Sequence, residues 1–377
     1  MSLSILIVVM TVIFITRIQT ADSPLLQQIF NWFPPILFAY VIPATITHSF
    51  SLDLASSPIH GYSKGLIIPL AILSVMSALS VKQLKMVGVK PIILFVAGSF
   101  IIAVLSPVLV LIYQMIDPVA GEKIISEGLW RGLVPIVGSW IGGSTSQLVL
   151  KEVVNCSEEL FVAILVLDNI LVNIWTILMF QFIKRSDQIN LWLNIPGENP
   201  TLSGSESSRV IPRDTWITIG VISIISFGFY ITDMSFLWKV VILSFIGIGL
   251  GNLVPKWDHQ IVLKLGGKLI LIIMATLGLK LNFSAMGIPI ALIGISIIWL
   301  VLHYVGMMAV AYGLKLHAAW IPIASMANLG GISTAPAVTA AYEKQWMPHA
   351  IVLAILSMVT GTAWGLFTIF LFEWIVL

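Results

Sequence analysis

Long apolar segments recur along the whole chain, and they restrict it to a helical membrane protein. The stretch 287–313, for example, contains no Asp, Glu, Lys or Arg. About 20 consecutive apolar residues span a bilayer as a helix. Only 10% of all residues are charged, against about one quarter in soluble domains. We therefore predict an all-α integral membrane protein and place it in the bacterial inner membrane.

Hydropathy and the helix breakers between apolar segments predict about twelve transmembrane helices. Their expected limits are 2–17, 31–49, 63–80, 89–114, 131–150, 159–183, 214–231, 236–254, 261–281, 287–313, 318–341 and 347–376. One long polar stretch, rich in Ser, Asn, Pro and Gly and flanked by Lys and Arg, divides them. We predict a first half at 1–184, a cytoplasmic linker at 185–213 and a second half at 214–377.

Two apolar segments are interrupted by similar sequences, one in each half. These are Gly142-Gly143-Ser144-Thr145-Ser146-Gln147 and Gly330-Gly331-Ile332-Ser333-Thr334-Ala335-Pro336. An unpaired backbone group in hydrocarbon costs several kcal/mol, so a break at membrane depth must line a cavity or be buried in protein. Close helix packing through small residues is the alternative explanation. Because glycines and hydroxyls recur together, we favour a transporter binding site and expect the two breaks to approach each other.

The halves resemble each other beyond the breaks, which indicates an internal repeat. Similar sequences at 76–82 and 275–280 precede the breaks, and Trp175 and Trp364 follow them in step. An inverted repeat requires an odd number of spans between equivalent helices, whereas the predicted breaks fall six spans apart. Either the repeats are parallel or the span count is wrong by one. We expect the second explanation and an inverted repeat.

One carboxylate lies in the middle of a predicted span. Asp168 interrupts the apolar run 162–173, where a charge costs at least about 3 kcal/mol to insert. An ion, a proton or a partner must offset that cost. Asn169 and Asn173 are one helical turn apart and can share a face. A structural partner that neutralises Asp168 is the alternative.

The breaks offer two kinds of ligand. Amide ends of half-helices attract anions, whereas carbonyl ends with hydroxyls suit Na⁺, which prefers oxygen. Pro336 has no N–H to donate and would hold the second break open. The predicted substrate- or ion-binding residues are Gly142, Gly143, Ser144, Thr145, Gln147, Asp168, Asn169, Asn173, Asn328, Gly330, Gly331, Ser333, Thr334 and Pro336. The predicted Na⁺ ligands among them are Thr145, Asp168, Ser333 and Thr334.

Two runs, from Ser139 to Asn173 and from Ser325 to Pro336, resemble the uncharacterised membrane family DUF819, also called YjcL-like. The resemblance extends from about Pro34 to the end of the chain. That family is similar to the bile-acid/sodium symporter and cation/proton antiporter superfamily. The resemblance implies a panel domain and a core domain with two crossed broken helices. In those antiporters an acidic or Asn-Asp pair occupies the place that Asp168-Asn169 has here in reversed order. Thr145 and Ser146 depart from the Asn and Val that usually follow the first Gly-Gly-Ser in the DUF819 family.

These patterns favour a secondary active transporter that moves a small solute, an organic anion or an amino acid, with Na⁺ or H⁺. Cation/proton exchange without an organic substrate is the alternative. The sequence has no His-Glu-x-x-His or Gly-x-Ser-x-Gly motif of an intramembrane enzyme, and a non-transporting bundle would need unbroken helices. We expect no cofactor except bound Na⁺. A net charge of +2 without a basic cluster argues against nucleic acid, and a homodimer is compatible with the sequence.

Overall fold

The computed structural model describes residues 2–20, 23, 29–30, 35–195, 212–280, 289–343 and 346–376. Regular secondary structure in these ranges is helical, which confirms the predicted all-α class. Apolar side chains cover the helices, and each helix satisfies its own backbone hydrogen bonds, as a lipid environment requires.

The described part of the chain forms sixteen helices, each a predicted span or a short connecting element. In chain order they are α1 (Ser2–Gln19), α2 (Pro35–Ser49), α3 (Ile59–Met76), α4 (Val81–Val87), α5 (Val89–Ile116), α6 (Pro118–Ser126), α7 (Trp130–Val153), α8 (Glu158–Lys184), α9 (Ser186–Leu193), α10 (Pro212–Tyr230), α11 (Phe236–Leu253), α12 (His259–Gly278), α13 (Ile290–Gly313), α14 (Trp320–Leu329), α15 (Gly331–Ala340) and α16 (Met347–Ile375).

Eight described helices have at least 18 residues and are apolar enough to cross a membrane. Two more, within α10 and α11, are apolar but shorter. The predicted linker is partly helical, because α9 lies inside it, and residues 196–211 lie outside the described residues.

The chain divides into two compact units that do not coincide with its two halves. The first unit comprises Met1–Ala78, Cys156–Ile170 and Arg209–Gly287, and the second comprises Leu79–Asn155, Leu171–Ser208 and Ile288–Leu377. Each unit takes segments from both halves of the sequence. The repeats predicted from the sequence are therefore not separate compact bodies, because helices of one half pack with helices of the other.

Each unit has its own apolar interior. In the first unit α1 packs on α2 and α12, and α3 packs on α11 and α12. One buried cluster there consists of Ile7, Val8, Ile59, Ala275 and Leu279. In the second unit α5, α7, α13 and α16 pack together, and the rings of Trp140 and Trp299 lie 4.5 Å apart.

The first break turns α7 back on itself. Gly143 has φ 67° and ψ −165°, far from helical values. A Cβ placed on Gly138 would lie 2.9 Å from the backbone of Gln147. In a straight helix two residues at this separation would be about 13 Å apart. Residues 130–153 therefore form a helical hairpin, hereafter hairpin 1.

The second break has the same form. Helices α14 and α15 meet at Gly331, whose φ is 65°. His317, before α14, and Tyr342, after α15, approach within 3.1 Å, and the rings of Trp320 and Trp346 stack at 5.4 Å. The two ends of the segment are therefore together, and residues 320–340 form hairpin 2.

The expectation of two crossed broken helices is therefore wrong. A broken helix that crosses the membrane keeps its two arms roughly in line, whereas the positive-φ glycine of each hairpin reverses the chain. Two of the twelve predicted spans are hairpins and not crossings. Both belong to the second compact unit, and they pack against each other and against α16.

Candidate functional site

The tips of the two hairpins share one backbone geometry. Gly143 and Gly331 have almost equal positive φ values, a region that glycine occupies readily because it has no Cβ. Each is preceded by a second glycine, Gly142 or Gly330, against which a hydroxyl four positions later packs. That hydroxyl belongs to Ser146 in hairpin 1 and to Thr334 in hairpin 2. The two tips are therefore structurally equivalent, as the sequence similarity predicts.

Ser357 of α16 joins the two tips. Its Oγ donates to the carbonyl oxygen of Ile141 in hairpin 1 and lies 3.3 Å from Oδ1 of Asn328 in hairpin 2. The side chains of Ser357 and Asn328 are each 2% exposed. The prediction that the two breaks approach each other is confirmed.

One turn further along α16, the helix touches hairpin 1 backbone to backbone. A Cβ on Gly142 would lie 2.8 Å from Cα of Gly361, and a Cβ on Gly361 would lie closer still to Gly142. Next to this contact Thr362 Oγ1 donates to Ser146 Oγ at 3.0 Å. Small residues and hydroxyls join helices in this way inside membranes.

The Asn328 amide, predicted to bind solute or ion, bonds to the protein itself. Ser99 Oγ of α5 donates to Asn328 Oδ1 at 3.0 Å, and Asn328 Nδ2 donates to the Phe95 carbonyl oxygen at 3.4 Å. With Ser357, these contacts tie hairpin 2 to α5 and α16. The sequence could not reveal the partners, because Ser99 lies 229 residues from Asn328.

Two predicted hydroxyls remain available to a ligand. Oγ1 of Thr145, a residue 4% exposed, and Oγ1 of Thr334 are buried without a hydrogen-bond partner in the part of the chain that the structure describes. An unsatisfied buried hydroxyl costs about 1–3 kcal/mol. One such group follows each tip.

The second arm of each hairpin begins at its tip. In α15 the first residue is Gly331, and no side chain caps this N-terminus. In α7 helical geometry resumes after Gly143, where Ser144 is half-buried. Each helix start carries about half a positive charge. The tips therefore present amide ends as well as hydroxyls.

Pro336 lies inside α15, in the second arm of hairpin 2, as expected. Its effect reaches the tip. Because proline has no N–H, the carbonyl of Ile332, four positions earlier, loses its intrahelical donor. Hairpin 2 thus carries a carbonyl oxygen without its intrahelical donor, whereas hairpin 1 has Leu148, which has an N–H, at the position equivalent to Pro336.

Asp168 is buried in α8 and is 3% exposed. Asp168 and Asn169 belong to the first compact unit, whereas the hairpins belong to the second, so the structure does not group these residues with the tips. Asn169 Nδ2 donates to the Leu165 carbonyl of its own helix at 2.7 Å. Asn173 is half-buried further along α8. A role for Asp168 at the breaks stays a prediction.

Of the remaining predicted residues, Gln147 is 2% exposed in the second arm of hairpin 1, and the Ser333 side chain lies outside the described residues. The predicted set omits Ser99, Ser357 and Gly361. The sequence does contain a signal for Ser357 and Gly361. Ser357, Gly361 and Gly365 are small residues spaced four positions apart in α16. That spacing is typical of close helix contacts in membranes.

A polar chain holds the two ends of hairpin 2. Tyr342 Oη donates to Asp187 Oδ1 at 2.7 Å and lies 3.1 Å from His317 Nε2. His317 Nδ1 accepts the Ala319 backbone N–H at 3.2 Å. Since a backbone N–H can only donate, these bonds assign the ring proton of neutral His317 to Nε2, which then donates to Tyr342.

Burial lowers the pKa of His317, and the nearby Asp187 carboxylate opposes this shift only in part. The structure thus favours the neutral ring. Burial, together with the hydrogen bond to Asp187, raises the pKa of Tyr342, so that its hydroxyl keeps its proton. Protonation of His317 at Nδ1 would break the bond from Ala319 at the start of hairpin 2.

We expect the protein to lose stability as the pH falls below about 6.5, the pKa of an unfolded histidine. In that range the unfolded chain binds a proton that folded His317 resists, so the free energy of unfolding decreases toward the lower folded pKa. Thermal unfolding in detergent at several pH values measures this. His317→Asn keeps an acceptor for Ala319 and should flatten the pH dependence. An unchanged slope in His317→Asn would exclude this histidine as the cause.

The chain matches a protein family over nearly its whole length. The family is described as a protein of unknown function (DUF819), and the match runs over residues 4–374. No curated protein matches the chain. The matched range contains both hairpins, α16 and Asp168. The chain therefore belongs to the DUF819 family of membrane proteins, as the runs around its two glycine pairs predict.

Proposed function

We propose that this protein is a secondary active transporter of a small organic anion or amino acid. One observation carries the proposal: two buried hairpins meet at Ser357, and each has an unpaired hydroxyl beside its tip. Interrupted helices inside a membrane protein are tolerated where they line a cavity or are enclosed by protein. They are also the usual place of transporter binding sites.

The substrate class follows from the charges at the tips. Both second arms begin there, and each N-terminus carries about half a positive charge. Amide groups at helix starts bind carboxylates and other anions. The hydroxyls of Thr145 and Thr334 can donate to the same groups, since neither has a described protein partner. A small carboxylate bound between the tips would satisfy all of these donors.

The helix count supports an inverted repeat. A hairpin returns to the side from which it starts, so it adds no crossing. The other span candidates among the described residues are α1, α3, α5 and α8 before the linker, and α10, α11, α12, α13 and α16 after it. We count α2, a helix of 15 residues at the predicted span 31–49, as the fifth crossing of the first half. Five crossings per half is an odd number, so equivalent helices would run in opposite directions. Repeats of this kind underlie alternating access in many transporters.

Cation/proton exchange without an organic solute is the second candidate. It is favoured by Asp168, a carboxylate that is 3% exposed inside an apolar helix. Buried carboxylates at membrane depth often serve as proton or ion carriers. The two candidates differ in one measurable respect, because only the first moves an organic molecule.

The two unpaired hydroxyls give a test that separates binding from folding. Thr145→Val and Thr334→Val should stabilise the solute-free protein by about 1 kcal/mol, because a buried unsatisfied group is removed with little change of shape. The same changes should raise the half-saturating solute concentration about tenfold, the loss expected for one hydrogen bond. Thermal unfolding and uptake kinetics measure the two effects.

Thr339→Val is the matched control in the second arm of hairpin 2. Its Oγ1 already donates to the Ala335 carbonyl at 2.7 Å. Loss of this hydroxyl should neither stabilise the protein nor weaken solute binding. Thr145→Val and Thr334→Val could instead lower the melting temperature as much as Thr339→Val does. The hydroxyls of Thr145 and Thr334 would then have protein partners and would not be available to a ligand.

The proposed function is tested by uptake into liposomes that contain the purified full-length chain. Small organic anions and amino acids are offered under imposed Na⁺ or pH gradients, with protein-free liposomes as the control. We expect at least one anionic solute to accumulate against its gradient and to leak out when an ionophore collapses the driving gradient. Movement of cations and protons with no solute would favour the exchanger. Movement of neither would refute transport.

A further inference from the structure

Four oxygen atoms form a chain of contacts where the two hairpins meet α16 and α5. They are the Ile141 carbonyl oxygen, Ser357 Oγ, Asn328 Oδ1 and Ser99 Oγ. Ser357 Oγ bonds to the Ile141 carbonyl, and Asn328 Oδ1 lies 3.3 Å from Ser357 Oγ and 3.0 Å from Ser99 Oγ. The side chains of Ser99, Asn328 and Ser357 are at most 2% exposed. The group is therefore closed to bulk water.

These oxygens have more lone pairs than their own protons can satisfy. Each serine hydroxyl has one proton and two lone pairs, and an amide or carbonyl oxygen has two lone pairs. Ser357 can give its proton to the Ile141 carbonyl. Ser99 can give its proton to Asn328 Oδ1 at 3.0 Å or to the Phe95 carbonyl at 3.1 Å. Asn328 Nδ2 points to the Phe95 carbonyl. With these donors used, each of the four oxygens still has a free lone pair.

The helix ends at this place are negative. The first arms of both hairpins end here, and each C-terminus carries about half a negative charge. Ile141 lies two positions before Gly143, whose backbone is not helical. The partners of the four oxygens are all neutral groups. None of these partners carries a positive charge.

We propose that these four oxygens bind Na⁺ and that Na⁺ is the ion coupled to transport. The binding site stands on the geometry alone, whereas the coupling rests on the proposed function. A set of uncharged oxygen ligands suits a monovalent hard cation better than Ca²⁺, which usually recruits carboxylates. The site differs from the sequence prediction, since it uses Ser357 and Ser99 in place of Thr145, Ser333, Thr334 and Asp168.

The position of the ion explains how it would assist the solute. Ile141 belongs to hairpin 1 and Asn328 to hairpin 2, so Na⁺ draws the first arms of both hairpins together. The second arms then present their amide ends and the hydroxyls of Thr145 and Thr334 side by side. The cation binds at the negative ends of the first arms, and the anionic solute binds at the positive ends of the second arms. Each makes the other site more favourable, since binding free energies couple reciprocally.

Thermal unfolding of the detergent-purified full-length chain tests the site without transport. Na⁺ is varied against choline at constant ionic strength, with K⁺ as a further comparison. We expect the melting temperature to rise with Na⁺ and to saturate, because a ligand that binds the folded state stabilises it. Ser357→Ala and Ser99→Ala should each raise the half-stabilising Na⁺ concentration about tenfold, as expected for one ligand of several.

Thr368→Ala is the matched control on the same helix. Thr368 Oγ1 of α16 donates to the Ala103 carbonyl oxygen of α5 at 3.0 Å, but it does not contact the four oxygens. It should lower the melting temperature in every salt and keep the Na⁺ response. Ser357→Cys serves if Ser357→Ala does not fold, because a thiol fills the same space and sulfur is a poor ligand for Na⁺.

The outcomes separate the site from the function. A melting temperature equal in Na⁺ and choline would overturn the site, and so would a full Na⁺ response in Ser357→Ala or Ser357→Cys. Solute uptake driven by a pH gradient without Na⁺ would leave the transporter proposal standing and remove Na⁺ coupling. A Na⁺ response that depends on Ser357, in a protein that transports no solute, would support the site and remove the proposed function.

Discussion

Gly361→Ala should destabilise the protein by about 3 kcal/mol or prevent it from folding, the upper range for an overpacked interior. A Cβ there would overlap the backbone of Gly142 and lie 2.9 Å from Ser146 Oγ. Backbone atoms cannot rotate aside, so hairpin 1 would have to move away from α16. That movement would also separate the Ile141 carbonyl from Ser357. Yield of monodisperse protein and the melting temperature measure the effect.

Gly294→Ala in α13 is the control for the change of residue type. A Cβ at this exposed position would have no atom within 4 Å. Since alanine favours a helix over glycine by about 1 kcal/mol, this substitution should be neutral or stabilising. If Gly361→Ala behaves like Gly294→Ala, hairpin 1 does not pack on α16 as described here.

Asp168→Asn should abolish coupled transport while leaving the protein folded. The substitution keeps the shape of the side chain and removes a charge that costs at least about 3 kcal/mol to place at membrane depth. We expect uptake to fall to the level of protein-free liposomes. The Na⁺-dependent rise of the melting temperature should persist, because Asp168 is not one of the four oxygen ligands.

Glu373→Gln removes a carboxylate at an exposed position of α16 and should leave uptake unchanged. It controls for the loss of one negative charge from the chain. Full uptake by Asp168→Asn, with the pH profile of the original protein, would show that Asp168 is structural. The alternative explanation, a buried partner that neutralises the carboxylate, would then hold.

Much of the local structure was predictable because it depends on short-range patterns. Each of the twelve predicted apolar segments coincides with a helix or a helix pair, since uninterrupted apolar residues allow no other structure in lipid. The glycine pairs Gly142-Gly143 and Gly330-Gly331 also located both interruptions, because few residues other than glycine adopt a positive φ. These are properties of neighbouring residues, and a single sequence contains them.

What the tertiary structure decided depends on which distant residues meet. A Gly-Gly break in sequence is compatible with a kinked crossing helix and with a hairpin, and contacts such as His317 with Tyr342 are needed to tell them apart. For the same reason the sequence could not show that Asn328 bonds to Ser99 and Ser357. Hydroxyls such as that of Thr145 are free or paired according to their three-dimensional neighbours. The sequence therefore determined the helices and their interruptions, and only through-space packing decided that the interruptions become paired hairpins around Ser357.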